Sequence, residues 1–144
     1  MAALGNLVQL LRLGGYLQWA EPDVASSRFE KSRPDNHFDA LKEMFGAAKE
    51  QDARLRPTWI PKLPDLFREA RLELVQEDVK DAPGYLARAM YECGLVIPQM
   101  LASHAGNVAL QENIRRLMPM VEQETKQGAL LAFTRWTVIG RKPL

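Results

Sequence analysis

The chain holds a single cysteine, Cys93, so no disulfide can close within it. That usage fits a reducing compartment, and the expected location is the cytoplasm. Only two histidines are present, and together with one cysteine they match no zinc-ligand spacing, so no metal is expected. Neither sign of charge is in excess: the formal net charge is +1. This removes the electrostatic reason to expect nucleic acid or an anionic membrane surface as a partner. No apolar run reaches the roughly 18 residues that a membrane-spanning helix needs. The opening Met1-Ala2-Ala3-Leu4-Gly5 lacks the basic and apolar blocks of a secretory signal. Phosphate and dinucleotide loops of the G-x-G-x-x-G or P-loop type are missing, as is a G-x-S-x-G nucleophile turn.

What the chain does have is enough length for one domain, residues 1–144. Its organising stretch is Leu13-Gly14-Gly15-Tyr16-Leu17-Gln18-Trp19-Ala20-Glu21-Pro22-Asp23. Leu4, Leu7, Val8 and Leu11 recur at helical spacing before it and predict a helix over 3–12. Gly14-Gly15 should stop that helix, because glycine takes left-handed dihedrals without strain. Tyr16, Leu17 and Trp19 then predict a buried strand over 14–21, ended by Glu21-Pro22-Asp23.

Residues 24–36 are polar and loop-like, with Asp35 or Asn36 placed to cap the next helix. That helix, 37–55, carries Phe38, Leu41, Phe45 and Ala48 on one face and Lys42, Lys49, Glu50 and Asp52 away from it. Prolines 57, 61 and 64 break the following stretch, and Pro64 opens a short helix that leads into a strand at 73–79. Tyr85–Ala102 is apolar on nearly all sides, a pattern of burial or of a pocket wall, with interruptions at Gly94 and Pro98. Asn107–Lys126 is a second amphipathic helix, with Leu110, Ile114, Leu117 and Val121 inward and Arg115 and Arg116 outward. The longest β-prone run follows, and 130–140 should be a central strand because both of its faces carry bulk.

Three of these segments resemble a known family. Leu10-Leu11-Arg12-Leu13-Gly14-Gly15-Tyr16-Leu17-Gln18-Trp19 is similar to the "L-L-x-P-G-G-Y-L-x-W" segment of class I S-adenosylmethionine-dependent methyltransferases, in particular the fungal small-molecule type found with secondary-metabolite genes. Leu63-Pro64-Asp65-Leu66-Phe67-Arg68-Glu69-Ala70-Arg71-Leu72-Glu73-Leu74-Val75 resembles that family's "L-P-x-L-F-R-E-A-G-L-x-L-V-x-x-D". Thr137-Val138-Ile139-Gly140-Arg141-Lys142-Pro143 resembles its final "T-V-V-G-R-K-P" strand. Leu13 stands where the family usually has proline, and Arg71 where it usually has glycine.

The resemblance implies an α/β fold corresponding to the second half of such an enzyme: a truncated Rossmann-like sheet of about three strands (14–21, 73–79 and 130–140) under a helical substrate cap (24–57 and 83–127). In the family these strands are the fifth, sixth and seventh, and the seventh inserts antiparallel between the other two. The family's cofactor site lies mainly in its first half, so no cofactor is expected here. The side of the first strand that the family covers would be an open edge, and Tyr16-Leu17-Gln18-Trp19 has neither proline nor lysine to blunt it. Each large apolar side chain left bare there forgoes roughly 1.5–3 kcal/mol. A homodimer or heteromer through residues 3–20 is therefore expected.

In an open α/β sheet, ligands bind outside the carboxyl ends of parallel strands. This points to Glu21 and Asp23, either as a base and a substrate contact or as a solvated turn. His37 is either an acid–base group or a surface cap, and His104 either meets substrate or complements a helix end. Tyr91 either donates to a substrate carbonyl or packs in the core with its hydroxyl at the rim. The expected catalytic set is Glu21, His37 and Tyr91; the expected substrate contacts are Trp19, Asp23, Arg28, Met90 and His104. Cys93 has no evident base beside it and reads as a small buried apolar group.

Two functions compete, beside a third reading of a truncated paralogue with no activity. One is a cofactor-independent cyclase, pericyclase or isomerase of secondary metabolism, holding a small apolar natural product in a reactive conformer. The other is a non-catalytic or complementing subunit that pairs with a methyltransferase partner.

Overall fold

The computed structural model describes residues 2–51, 53–81, 92, 95–104 and 106–144. Among these, the chain forms helices α1 (Ala2–Leu10), α2 (Asp39–Gln51), α3 (Leu63–Glu69), α4 (Val96–His104) and α5 (Val108–Lys126). The strands are β1 (Tyr16–Lys31), β2 (Glu73–Asp81) and β3 (Ala129–Arg141), and short 3-10 turns lie at Ala53–Leu55 and Ile60–Lys62. The fold is mixed α/β, with one open three-stranded sheet in the order β1-β3-β2.

β3 is the middle strand, where its apolar bulk was expected to place it, and both of its neighbours run antiparallel to it. Glu73 lies opposite Arg141 and Asp81 opposite Thr134, with a bulge at Val75. On the other side, Gly14 N–H donates to Lys142 O at 2.9 Å and Lys142 N–H to Gly15 O at 2.8 Å, while Ser32 N–H reaches Gly128 O at 3.0 Å. The start of β1 thus faces the end of β3, and the end of β1 faces its start.

The structure corrects the expected end of the first strand. β1 does not stop at Glu21-Pro22-Asp23 but continues to Lys31, so residues 24–31 are strand and not part of a loop or helical cap. The reason is position in the sheet. β1 is an edge strand, and an edge tolerates both proline and polar side chains that a central strand would reject. The Gly-Gly reading is corrected too. α1 ends at Leu10, and Gly14, at φ 73°, is the left-handed residue of a separate tight turn in which Gly15 N–H donates to Arg12 O at 2.9 Å.

The chain packs as two compact units. One comprises Met1–Ala25, Pro57–Asp81 and Thr134–Leu144, and the other Ser26–Arg56 and Ala82–Phe133. The core of the first is Leu4, Ile60, Leu63, Phe67, Leu72 and Val138, so α1 and α3 share one sheet face. α3 is started with Pro64 in its first turn, a position where a missing N–H costs nothing.

The end of α3 is a Schellman closure: Leu72 N–H donates to Phe67 O at 3.0 Å and Arg71 N–H to Arg68 O at 2.9 Å. That closure needs a left-handed residue, and Arg71 supplies it at φ 61°. Beyond it, Phe67 and Leu72 press on β3 at Gly140, where an added Cβ would lie 2.6 Å from the Phe67 ring and 3.0 Å from Leu72. Lys142 ties down α1: its ammonium donates to Val8 O at 2.9 Å and Leu11 O at 2.8 Å. A cation on the orphan carbonyls of a helix end also complements the helix dipole.

The second unit packs α2 against α5, with Leu41, Met44 and Phe45 meeting Leu110, Ile114, Leu117 and Val121, and with Ala129 and Leu131 of β3 added. The inward stripe expected for α5 is the buried one, and Asn107 caps this helix by accepting from Leu110 N–H at 3.1 Å. Lys49 departs from its expected place on the wet face of α2; it is half-buried and bonds Ser27 Oγ. Neither Asp35 nor Asn36 closes α2, for the Asn36 amide is turned to Ser32 Oγ and Gln127 O. The helix is closed instead by Glu124 of α5, whose two carboxylate oxygens each accept at 3.0 Å, from Ala40 N–H and Leu41 N–H. An arginine pair, Arg116 to Glu43 at 2.6 Å, adds a second link between the two helices.

Two stability measurements follow. Arg71→Gly relieves the left-handed strain and should raise unfolding stability by about 0.5–1 kcal/mol, after the extra chain entropy of glycine is deducted; an unchanged or lower urea midpoint contradicts this. Glu124→Ala removes the cap of α2 and should cost about 1–2 kcal/mol, with Glu124→Gln intermediate; equal midpoints for all three proteins contradict it.

Candidate functional site

A surface cleft lies within the helical unit, along the groove between α4 and α5. It encloses about 640 Å³ and is lined by Gln99 and Ser103 of α4 and by Gln111, Ile114, Arg115 and Met118 of α5, with Pro119 beside them. The spacing explains the lining. Residues three and four apart share a helix face, so Val96, Gln99, Met100 and Ser103 form one stripe of α4, and Gln111, Ile114, Arg115 and Met118 one stripe of α5. The floor is apolar, with Ile114 buried and Met118 half-buried. The polar groups sit at the rim, an arrangement typical of sites for small organic molecules. Val96 and Met100 are 48% and 54% exposed, so the apolar wall of α4 continues outward from the cleft.

A second hollow, of about 510 Å³, lies where the ends of β1 and α5 meet the start of β3, and it is more polar. Lys31 on its wall is already committed to the carbonyls of Pro34 at 2.5 Å and Asn36 at 3.2 Å.

The residues expected from the sequence fall as follows. Glu21 lies within β1 and accepts from Trp19 Nε1–H at 2.8 Å. Trp19 in turn meets Trp59 edge to face, with ring centroids 6.3 Å apart. Asp23 is buried, and its Oδ1 accepts from Ala25 N–H at 3.1 Å. All three belong to the first unit. Because β1 continues to Lys31, Glu21 and Asp23 sit inside a strand and not beyond its carboxyl end.

Arg28 and His37 belong to the helical unit and are not in the lining of its cleft. Arg28 Nε pairs with Glu30 at 2.6 Å. His37 is 76% exposed, with Nδ1 3.8 Å from Asp39. His104 is the last residue of α4, as expected. Met90, Tyr91 and Cys93 lie outside the described residues.

Gln99, Ser103, Gln111 and Arg115 were not picked out by sequence reasoning. The signal available for them was a pair of polar residues four apart on an α4 that is otherwise apolar up to its last residue, His104, facing a polar flank beside the inward stripe of α5.

Among the described residues, no group of histidine, cysteine, aspartate and glutamate gathers as a metal set, and no helix is long and apolar enough to cross a membrane. No protein-family model matches this chain, and no curated protein sequence is similar enough to stand as a relative.

The Trp19–Glu21 bond gives a local test. Glu21→Ala should shift the Trp19 indole N–H resonance upfield and lower stability by about 1 kcal/mol, the worth of one partly buried hydrogen bond. An unmoved resonance would show that the bond does not form in solution.

Proposed function

We propose that this chain is a methyltransferase-like protein of secondary metabolism that acts without S-adenosylmethionine, as a cyclase or isomerase of a small apolar natural-product intermediate. The observation that carries the proposal is the α4–α5 cleft, with its apolar floor and polar rim. Such a site can select one reactive conformer of a flexible substrate, and holding that conformer lowers the barrier without a cofactor. None of Trp19, Glu21, Asp23, Arg28 and His37 lines that cleft, so the groups proposed to meet substrate there are Gln99, Ser103, Gln111 and Arg115, and the proposed location is the cytoplasm.

Three observations support the likeness to class I methyltransferases. β3 lies antiparallel between β1 and β2, the place the family gives its seventh strand between the fifth and sixth. Arg71, which stands where the family usually has glycine, has the left-handed φ of 61° that favours glycine. The three similar segments also meet in one unit, through Gly14 and Gly15 bonded to Lys142 and through Phe67 packed on Gly140.

A second reading, a complementing subunit that pairs with a methyltransferase partner or a second copy through residues 3–20, is favoured by the edge position of β1. Leu10, Leu13 and Tyr16 beside that edge are 83%, 65% and 60% exposed, and an open strand edge is a template for pairing.

One assay separates the two. The purified chain is incubated with linear polyene or polyketide intermediates, with and without S-adenosylmethionine, and the products are read by mass spectrometry. The expected outcome is an isomer of unchanged mass, formed equally in both. Turnover only with the cofactor and a second protein, giving a methylated product, overturns the first reading in favour of the second.

A further inference from the structure

We infer that the α4–α5 cleft takes an organic anion, a small molecule with an apolar body and one acidic group such as a carboxylate, and that Arg115 is its counter-charge. This rests on the reading of the cleft as the substrate site and adds the charge class of what enters it. Among the described residues of the lining, Arg115 is the one charged side chain, and no carboxylate stands with it. The contrast with its neighbour is direct: the Arg116 guanidinium is spent on Glu43 at 2.6 Å and Asn113 at 2.8 Å, whereas Arg115 has no hydrogen bond or ion pair among the described residues. Gln99 is in the same position on the opposite wall and offers an amide N–H.

A guanidinium presents a planar fork of donors that matches a carboxylate two bonds at a time, and it is weakly hydrated. Ile114, Met118 and Pro119 lie alongside to cover an apolar ring or chain. The cleft therefore holds a cation at its rim next to an apolar floor, which is the complement of an amphiphilic acid. A neutral molecule of the same shape would fill the floor but leave the guanidinium facing water.

The test uses naphthoate and its neutral isostere naphthamide as probes, titrated into the nitrogen-labelled chain and followed by amide NMR shifts. Naphthoate should move the amides of Gln99, Ser103, Gln111 and Arg115 and bind about tenfold more tightly than naphthamide, the lower end of what a charge-assisted bond is worth. Arg115→Ala should abolish that preference, leaving the two probes with equal affinity, Arg116→Ala should keep it, and added salt should reduce it. Equal affinity of the two probes at these amides overturns the inference and leaves the cleft as a neutral-ligand site. Failure of both probes to move these amides overturns the cleft reading, and the inference falls with it.

Discussion

Phe67 lies against bare backbone at Gly140, and the first unit of this protein depends on that contact. No side chain larger than hydrogen fits between the ring and the central strand, since a Cβ there would fall within 2.6 Å of the ring. The close approach lets the short α3 settle flat on β3, carrying Leu63 and Leu72 into one core with Val138. It also fixes the turn that follows. Leu72 can reach its place under the sheet only if the chain reverses at Arg71, and it does so at the expense of a left-handed arginine. Two residues further along the chain, just past the end of that strand, Lys142 receives the Gly14–Gly15 turn and holds the end of α1. A stretch of a few residues at the end of β3 thus gathers α1, α3 and β1.

The helical unit is organised differently. Its core is an apolar seam between α2 and α5, and it carries polar ties along one side, Glu124 to the start of α2 and Arg116 to Glu43. α4 contributes less to that seam. Pro98 is buried, while Val96, Ile97 and Met100 stand exposed. An apolar helix with a wet face next to a groove differs from a helix buried all round, and this is what makes the α4–α5 cleft accessible.

What could be read from the sequence was what periodicity controls. Leu110, Ile114, Leu117 and Val121 announce the inward stripe of α5, and the bulk on both sides of 130–140 announces a central strand. What could not be read was what distant parts of the chain decide. Pro22 and the polar run Ser26-Ser27-Arg28 look like a loop, because a local pattern does not say that the strand lies at an edge where such residues are tolerated. The cap of α2 comes from a glutamate more than eighty residues away, so local capping rules chose Asp35 or Asn36. The polar rim of the cleft was hidden for a related reason. Arg115 looks solvent-directed on α5 taken alone, and it becomes a wall only when α4 lies alongside.

The closure of α2 by Glu124 has a consequence for how the protein comes to be made. The two amides wait for a carboxylate 83 and 84 residues further along the chain. At a ribosomal pace of about 5–20 residues per second, that is a delay of about 4–17 s. Until then, α2 leaves the exit tunnel with its leading amides satisfied only by water, and a single helix of this length is marginal in isolation. The nascent helical unit is therefore assembled from its far end backwards, with the earlier helix becoming permanent only once the later one has been synthesised.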